Sequence, residues 1–543
     1  MITFIVAFLM IISINEIQNF RCGAGKIKLN PLHLNSTENN KRRLAIEYTP
    51  IKIGVDYSSF TKPSSMTDDT FNQIKNSIEE TIKEFPKFLR VQHTDYDLSG
   101  QEESIKKSCE LNTIGNGFAN YLKDYDIVIF PSFSNQLSSD EVSSGKLCLT
   151  HGSRPRPTAG LLAINPNFNF NLKNNDLFLK QIFFHEMTHI LVFDQNLLKQ
   201  LGMTTNKKSR TYVTSSKVLA KAKQHYNCQS ITGIPLEDQI YLGNDPGTHW
   251  DARYMLGDYM ITSFYTDMIL SDITIALFED TKYYEADYYS GGLFKFGKNK
   301  GCNFINKNCL ENKKPLFSEF CTSSDNNLCT SSKLSKANCI INDYINYNIT
   351  IPSQYRYFDN PNHGGNFFVD FCPVPDTFIS GNDYFSNNCK IGTSTLSPEY
   401  AEEMSDTSFC FVSSLTPPNN NYNITTRSMC YKTECNKDTK QIVVHVGTST
   451  YICPTDGGIT SGGNFKGYLT CPKYYEICDT ESLQLCNDIF DCLNKKIAVN
   501  DDSFNLNANT SFDRYRPTSF SKNIKNNYYA YYSFIIIFLM LII

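Results

Sequence analysis

Nineteen cysteines, very unevenly spaced, constrain this 543-residue chain more than any other feature. Four of them lie before position 300, and the other fifteen fall between positions 302 and 492. A reducing compartment rarely holds so many thiols, so the count predicts an oxidising compartment in which they pair. Because the number is odd, one cysteine must remain after pairing. The change in density predicts a domain boundary near residue 300, followed by a loop-rich domain held by disulfides.

The charge and composition exclude two classes of protein. Lys and Arg together number 51 and Asp and Glu 55, so the net charge is −4. A nucleic-acid-binding protein would need a basic face, which this near-balance disfavours. Aromatic residues make up 13% of the chain, which argues against disorder. A length of 543 residues predicts two to four domains.

Both ends of the chain are apolar. The opening stretch MITFIVAFLMIIS is too short to span a bilayer and predicts a signal peptide over residues 1–15, with a buried N-terminal helix as the alternative. Residues 16–45 are polar and predict a pro-segment. An apolar tail (533–543) follows a polar spacer, which is the layout of a GPI-attachment signal over 506–543. A tail-anchored helix and a terminal core strand are the alternatives. The candidate attachment positions are Ser519, Ser521, Asn523, Asn526 and Asn527.

Four N-x-S/T sequons lie between these ends. They are Asn35, Asn348, Asn423 and Asn509. Together with the cysteines, they predict a glycoprotein that passes through a glycosylating compartment. We therefore expect an extracellular protein held at the cell surface by a lipid anchor, with a secreted or tail-anchored protein as the alternative.

Strand-like and helix-like patterns alternate up to about residue 193. Apolar runs at 125–134 and 159–166 predict sheet strands, and Asp68 opens a segment with helical periodicity. Another helix is predicted from Asp176, a plausible N-cap, to Phe193. This part of the chain therefore predicts helices layered on a sheet.

The second of these helices carries the motif His185-Glu186-x-x-His189. Residues four apart share one face of a helix, so both imidazoles can reach one metal ion. The glutamate between them can act as a general base for zinc-activated water. A chance occurrence in a chain of this composition is expected on the order of 0.01 times. The motif therefore predicts a catalytic zinc site.

A catalytic zinc site needs a third protein ligand. The long form of the motif would place Gly at position 192 and His at position 195, but the chain has Val192 and Gln195. The third ligand must therefore come from elsewhere. By chemistry alone the candidates are His151, His225, His249, His363 and His445.

Further segments resemble one known family. GTHWDAR (247–253) contains the only Trp of the chain, and GDYM (257–260) follows it. With the HExxH motif, these segments resemble leishmanolysin, a surface zinc protease of the metzincin clan whose third histidine follows a large insertion. Here the gap from His189 to His249 is 249 − 189 = 60 residues. Other matching segments are 221–228, 236–239, 276–280, 296–302, 371–373 and 469–472, with Cys478.

The resemblance implies an α+β fold in several parts. It implies a metzincin-type catalytic subdomain, with a twisted mixed sheet and the zinc helix, over 46–193. A central, mostly helical subdomain with the third histidine would cover 194–301. A disulfide-rich domain of loops and strands would cover 302–505, before the spacer and tail at 506–543.

The resemblance also assigns roles to residues. His185, His189 and His249 would bind one Zn²⁺ per chain, and Glu186 would be the general base. Met260 would form the Met-turn, an apolar floor beneath the ligands, although an ordinary core methionine is the alternative. No ligand role transfers to His225.

Cys22 lies in the predicted pro-segment, where members of the family resemble this chain in having a cysteine. A thiolate at that place can occupy the fourth zinc position and keep a zymogen inactive. The flanking histidines of the family are missing here, and a leftover cysteine is the alternative. The remaining eighteen cysteines could form nine disulfides.

These implications define an expected function. The chain would be a secreted or cell-surface zinc metalloendopeptidase that hydrolyses peptide bonds in proteins, and the alternative is a catalytically inactive surface protein used for adhesion or binding. An extended peptide would pair with an edge strand, for which residues 159–165 are the candidate.

Val192 is the main local departure from the family. The family ends this helix at a glycine, whereas a β-branched residue is poorly suited to positive φ. We therefore expect the helix to continue to residues 194–196 or the turn to be strained.

Overall fold

The computed structural model describes most of the chain between residues 22 and 495. The predicted signal peptide, the GPI signal and the sequons at Asn35, Asn423 and Asn509 lie outside the described residues. Within the described part, no helix is long and apolar enough to cross a membrane. The described ranges are 22–23, 27–34, 47–94, 98, 100–115, 123–208, 210–238, 247–288, 294–322, 327–377, 382–419, 425–478 and 488–495.

Helices and strands alternate in the first half, and strands predominate in the second. The helices are α1 Asp68–Ile82, α2 Glu102–Ser108, α3 Asn175–Leu191, α4 Gln195–Gln200, α5 Ser216–Tyr226, α6 Ala252–Met255, α7 Asp272–Asp280, α8 Cys302–Asn306, α9 Tyr474–Ile477 and α10 Ile489–Lys495. The strands of the first half are β1 Leu32–Leu34, β2 Tyr48–Pro50, β3 Ile53–Val55, β4 Leu89–Gln92, β5 Ile127–Phe133, β6 Ser143–His151, β7 Arg156–Ile164, β8 Thr204–Lys207, β9 Arg210–Val213, β10 Ile234–Pro235 and β11 Tyr284–Ala286.

The strands of the second half are shorter on average. They are β12 Leu310–Glu311, β13 Lys314–Pro315, β14 Leu328–Cys329, β15 Lys336–Cys339, β16 Asn342–Asp343, β17 His363–Gly364, β18 Pro375–Asp376, β19 Ser408–Ser413, β20 Arg427–Asn436, β21 Gln441–Val446, β22 Ser449–Cys453, β23 Gly458–Thr460 and β24 Leu469–Cys471.

A five-stranded mixed sheet, in the order β1-β6-β7-β5-β3, supports the candidate site. Strands β3, β5 and β7 are parallel, β6 is antiparallel to β7, and β1 runs parallel to β6. Every residue of β7 is buried, which explains the apolar run from residue 159 to residue 164, because a strand covered on both faces needs no polar side. One face of the sheet forms a core that includes Ile105 of α2, Phe130 and Leu161, and residues that precede and form β1 pack against it.

The opposite face of the sheet packs closely against α3. A Cβ atom on Gly160 of β7 would lie 2.1 Å from Cγ2 of Ile190, and one on Gly145 of β6 would lie 1.9 Å from the main-chain oxygen of Glu186. Only glycine fits at such distances. These two positions therefore set how near the HExxH helix lies to the sheet.

Helices α5 and α7 pack together beyond α3, next to a small sheet of β8, β9 and β10. The second half contains a six-stranded antiparallel sheet in the order β22-β21-β20-β19-β24-β23. The predicted domain boundaries at 45, 193, 301 and 505 remain predictions.

Eight disulfides connect the described residues, and six of them lie within residues 309–478. They are Cys109–Cys148, Cys228–Cys302, Cys309–Cys372, Cys321–Cys339, Cys329–Cys410, Cys389–Cys430, Cys435–Cys478 and Cys453–Cys471. The coarse prediction of a chain that mixes helices and strands and carries many disulfides is confirmed. Cys486 and the side chain of Cys492 lie outside the described residues, so the ninth predicted pair stays a prediction.

Candidate metal centre

The HExxH residues lie near the end of α3, a helix that is buried along almost its whole length. From Phe178 to Leu191 every residue but Lys180 is buried. A helix that is apolar on all sides is stable only inside a protein, between other elements. The sequence of α3 therefore places His185, Glu186 and His189 in the interior, against the sheet.

Three imidazoles converge there. The Nε2 atom of His189 lies 3.0 Å from that of His185 and 3.1 Å from that of His249. The Nε2 atoms of His185 and His249 are 3.2 Å apart. His249 reaches this point from a separate segment, 60 residues after His189 (249 − 189).

This triangle of nitrogens fits a zinc ion. Zn–N bonds of about 2.0–2.1 Å with tetrahedral angles put neighbouring nitrogens about 3.3–3.4 Å apart. The three observed separations are only slightly shorter. Cys22 belongs to the same group, because its Sγ and the three histidine nitrogens all lie within 4.8 Å of one another. The donor set of imidazole and thiolate is one that zinc prefers.

The outer nitrogen of each imidazole has its own hydrogen-bond acceptor. His185 Nδ1 lies 2.5 Å from the carbonyl of Tyr259, and His189 Nδ1 lies 2.9 Å from the carbonyl of Phe193. His249 Nδ1 instead lies 2.8 Å from Oε1 of Glu237. An acceptor at Nδ1 keeps the proton there and leaves the Nε2 lone pair directed at the centre.

Burial also favours the neutral form of these ligands. It is the main reason why the pKa of His185 is lowered to about 3, and the pKa of His189 is lowered for the same reason. Neutral imidazole is the form that binds a metal. The site is therefore prepared for a cation, because its histidines stay uncharged at physiological pH.

Glu186 points its carboxylate at β6. Its Oε2 accepts a hydrogen bond from the Gly145 amide at 2.6 Å, and its Oε1 lies 3.4 Å from Oγ of Ser143. Burial raises the pKa of this carboxyl to about 8, although the Gly145 and Cys22 contacts oppose the shift. Such a carboxyl can exchange a proton near neutral pH, which is what a general base must do.

Cys22 lies against both the histidines and Glu186. Its Sγ is 3.5 Å from Nε2 of His189 and 3.4 Å from Oε2 of Glu186. Main-chain hydrogen bonds hold this segment, from Cys22 N to Thr262 O at 3.2 Å and from Gly23 N to Ser143 O at 2.8 Å. The thiol is 7% exposed, so it is shielded from solvent.

The helix ends without glycine and without strain. The last helical residue is Leu191, and Val192 has φ −152°, outside the left-handed region. Its amide still donates to the Thr188 carbonyl at 2.9 Å, and Asp194 then caps α4. Both alternatives expected from the sequence are wrong here, because Val192 neither extends the helix to residues 194–196 nor adopts positive φ.

Residues that follow His249 pack against the helix α3 and one of its histidines. Trp250 donates its amide to the carbonyl of Met260, and both residues are fully buried. The role of Met260 as a floor beneath the metal stays a prediction. Tyr259, beside it, adds a contact of 2.9 Å between its hydroxyl and Oγ1 of Thr188.

The other candidate histidines lie outside this group. Among the described residues, His151, His225, His363 and His445 are not part of the metal-ligand cluster. His225 Nε2 lies 2.9 Å from the carbonyl of Phe296, so this histidine contacts the main chain of a neighbouring segment.

The predicted edge strand is wrong. Residues 159–164 belong to β7, which pairs with β5 on one side and β6 on the other. The strand nearer the site is β6, whose outer side is paired only with the short strand β1, at Leu149–His151. The continuous apolar run at 159–164 is typical of a central strand, which is buried on both faces, rather than of an edge strand.

Sequence reasoning missed two residues that shape the centre. Gly145 supplies both the close approach of β6 and an amide to Glu186, and Glu237 contacts His249. Glu237 stands in one of the matching segments, but no periodicity or spacing connects it to a histidine twelve positions later. Only the tertiary pairing of the two segments reveals that contact.

Three convergent imidazoles and a thiol define a protein with a group of buried side chains that could hold a metal ion. A comparison with protein families gives the narrower class, because the family model described as leishmanolysin peptidase matches residues 106–484. That match covers more than half of the chain, and the chain therefore belongs to the leishmanolysin family.

Curated relatives agree with this assignment. A leishmanolysin homolog of Crithidia fasciculata is 28% identical over 321 residues, covering 54% of this chain and 47% of its own length. Leishmanolysin of Leishmania tropica is 27% identical over 349 residues, 59% of this chain and 50% of its own length. A leishmanolysin-like peptidase of Drosophila melanogaster is 27% identical over 307 residues, 50% and 44% respectively. The chain thus spans about half the length of the relatives it matches.

Proposed function

We propose that this protein is a zinc metalloendopeptidase. The observation that carries the proposal is the triangle of Nε2 atoms of His185, His189 and His249, at 3.0–3.2 Å, beside the buried carboxylate of Glu186. These three histidines would hold one zinc ion. Family membership supports the same activity, since relatives bear the name peptidase.

Each residue of the centre has a role in peptide hydrolysis. A zinc ion held there would polarise the scissile carbonyl and make a water molecule more acidic. Glu186 takes the proton of the attacking water and returns it to the leaving amine. Its raised pKa, about 8, suits a group that must gain and lose a proton at neutral pH. Met260 would form the apolar floor beneath the metal, and both it and Trp250 are fully buried.

The substrate would bind as an extended peptide along β6. Gly23 already forms a strand-like contact there, from its amide to the Ser143 carbonyl at 2.8 Å. Strand addition of this kind uses main-chain hydrogen bonds and makes few demands on sequence. The proposed edge thus changes from residues 159–165 to Ser143–His151.

The same contacts support a latent form of the enzyme. Cys22 Sγ lies among the proposed zinc ligands, and β1 pairs with Leu149–His151 on the outer side of β6. The thiol and the segment that follows it would therefore block the metal and the substrate edge together. Removal of the pro-segment would release both.

We further propose the finer architecture and the location. A metzincin-type catalytic subdomain is supported by the mixed sheet, the HExxH helix and the separate segment that carries His249. Eight disulfides support a place outside the cytosol, where a GPI anchor at the C-terminal tail would hold the protein on the cell surface. Of the sequons, Asn348 is exposed and accessible for glycosylation.

The activity is tested with Glu186→Ala in a chain that also carries Cys22→Ala. We expect about one zinc per chain in both proteins, and a loss of hydrolysis of a denatured protein of about 10²- to 10⁴-fold in the Glu186 variant. Glu103→Ala, at a side chain 86% exposed, is the matched control and should keep full activity. If both proteins bind stoichiometric zinc and the Glu186 variant is as active as its parent, the proposed protease activity is refuted.

The latent form is tested by comparing unprocessed wild type with Cys22→Ala and Cys22→Ser. Loss of the thiol should raise basal hydrolysis without any cleavage of the chain, and the serine variant shows whether sulfur itself is required. Equal basal activity in all three proteins would refute the switch.

The anchor is tested on cells that express the full chain. Phosphatidylinositol-specific phospholipase should release a lipid-anchored protein into the medium. A protein that stays on the membrane after this treatment, while a known GPI-anchored marker is released, would exclude the anchor.

A further inference from the structure

Glu237 differs from every other group that contacts the outer nitrogens of the three histidines. His185 and His189 face main-chain carbonyls, whereas His249 faces a carboxylate at 2.8 Å. Both side chains of this pair are 2% exposed. A buried carboxylate is costly unless it is paired, so this one has a specific partner to stabilise it.

The main chain fixes the position of Glu237 relative to His249. The Glu237 amide donates to the His249 carbonyl at 3.1 Å, and the Gly247 amide donates to the Glu237 carbonyl at 2.9 Å. Leu236 and Trp250 form an antiparallel bridge just beyond this pair. The carboxylate is thus held beside the imidazole by backbone pairing rather than by a flexible side chain alone.

The chemistry of the contact sets the tautomer of His249. An ionised carboxylate only accepts hydrogen bonds, so the proton of the imidazole must lie on Nδ1. The lone pair of Nε2 then points at the two other ligand nitrogens, 3.1 and 3.2 Å away. Thr248 reinforces this arrangement, since its Oγ1 lies 3.1 Å from the same Nδ1 and 3.4 Å from Oε1 of Glu237.

The negative charge has a second consequence. Neutral histidines bring no charge to a dication, and a carboxylate behind one ligand increases the basicity of that ligand. His249 needs such support more than the other two, because His185 and His189 share one rigid helix whereas His249 arrives from a separate segment. Orienting partners of this kind typically change metal affinity 10- to 100-fold.

We propose that Glu237 is the positioning residue of the third zinc ligand, holding His249 in the Nδ1-protonated tautomer and strengthening zinc binding by its charge. The proposal rests on the proposed function, because it assumes that His249 binds zinc. It assigns a role in the metal centre to a residue of the segment between His189 and His249. Glu237 itself touches neither substrate nor metal.

The test measures zinc affinity in a chain with Cys22→Ala and Glu186→Ala, so that neither the thiol nor self-cleavage affects the titration. Competition with a chromophoric chelator should show a zinc dissociation constant raised about 10- to 100-fold in Glu237→Ala. Glu237→Gln keeps an acceptor but loses the charge, so we expect a smaller increase. The matched control is Glu402→Gln, another buried carboxylate, 1% exposed and paired with Lys336 far along the chain.

A second readout separates positioning from simple stability. In the zinc-loaded protein, ¹⁵N NMR should show a protonated Nδ1 at His249 with Glu237 present and a changed Nδ1 signal in both Glu237 variants. If Glu237→Ala does not fold, Glu237→Gln carries the test by itself. Zinc affinity of both variants within twofold of the parent, or an equal loss in Glu402→Gln, would overturn the proposal.

His249→Ala distinguishes this failure from failure of the proposed function. If that variant loses stoichiometric zinc while the Glu237 variants keep normal affinity, His249 is a ligand and only the positioning role is wrong. If His249→Ala still binds zinc as the parent does, the proposed metal centre itself is wrong.

Discussion

The metal centre and the disulfide-rich second half of the molecule are held together in different ways. Around the centre, buried packing of α3 and hydrogen bonds to main-chain carbonyls fix the histidines. Among the residues that the structure describes, no disulfide joins two of the segments that carry these histidines. Between residues 309 and 478, six disulfides link short strands and turns. The first region relies on close packing, and the second on covalent cross-links that restrict the unfolded chain.

These two modes of stabilisation, close packing and covalent cross-links, predict which changes each region tolerates. Packed sites respond to changes of volume and to loss of a buried partner, whereas cross-linked regions respond mainly to loss of the cross-link. Mutations and solution conditions that affect one mode of stabilisation should therefore leave the other region largely intact. The predictions below test that separation.

Metal removal should have the largest effect, and only on the centre. Chelation with 1,10-phenanthroline should lower hydrolysis by the Cys22→Ala protein about 10³-fold or more, because several kcal/mol of transition-state stabilisation depend on the metal. The disulfide pattern and near-UV circular dichroism of the second half should not change. Recovery of activity by added Zn²⁺ is the control, and an irreversible loss of structure would show that the two regions are not independent.

Removing a disulfide from the second half should lower the stability of the protein and leave the metal centre unchanged. Replacing Cys329 and Cys410 by alanine should lower the free energy of unfolding by about 2–5 kcal/mol, with zinc content unchanged. Cys453–Cys471 is the comparison, because it closes a sequence separation of 18 rather than 81 residues. Chain entropy predicts an effect about 1 kcal/mol smaller there. Zinc loss in either double variant, measured at a temperature where it is folded, would contradict the separation.

Gly145→Ala should disturb the centre through volume alone. The added Cβ would meet the main-chain oxygen of Glu186 at 1.9 Å, so β6 and α3 must move apart. We expect a loss of about 1–3 kcal/mol in the free energy of unfolding together with reduced activity. Gly202→Ala is the control, since a Cβ there meets nothing within 4 Å and only its φ of +67° is strained. Equal activity in the two variants would show that the contact does not position Glu186.

The smallest expected effect is that of a lower pH on the stability of the pairing between β1 and β6. Burial, and then the nearby His33, lowers the pKa of His151. The paired state therefore disfavours protonation, so its stability is present above the ordinary pKa and falls as pH drops below about 6.5. His33 and Thr150, which contact each other at 3.0 Å, and Arg156, the cross-strand partner of His151, are the groups nearby.

Hydrogen exchange at the Gly152 amide, which donates to the Leu34 carbonyl at 3.0 Å, reports this pairing. Corrected for intrinsic rates, its protection should drop severalfold between pH 7.5 and pH 5.5 in wild type, and less in His151→Gln. His363→Gln, at a partly exposed histidine in the second half, should behave as wild type. A pH-independent protection would show that His151 does not couple to the pro-segment.

The sequence predicted the residues of the candidate site more completely than it predicted the arrangement of the strands and disulfides. His185, Glu186 and His189 follow from helical spacing, a local property, and the structure brings them together with His249, which the resemblance had supplied. The strand predicted at 159–166 is present as part of β7, but the edge position predicted for residues 159–165 is wrong, because an apolar run does not reveal how many neighbours a strand has. Val192 was misjudged because the turn depends on the hydrogen bond to Thr188 and on the Asp194 cap, which no single residue reveals. Disulfide pairing depends on three-dimensional proximity and could not be deduced from cysteine positions.

The bridge between Leu236 and Trp250 also makes the segment between them a suitable place to insert a reporter peptide near the metal centre. It joins the chain before residue 239 to the chain after residue 246, so that the backbone sets Glu237 and His249 in register. Loop-closure entropy grows slowly, by about 0.6 kcal/mol for each doubling of length. An affinity tag or a fluorophore-binding peptide inserted after Asp238 should therefore report on the metal centre from nearby while leaving its ligands in register.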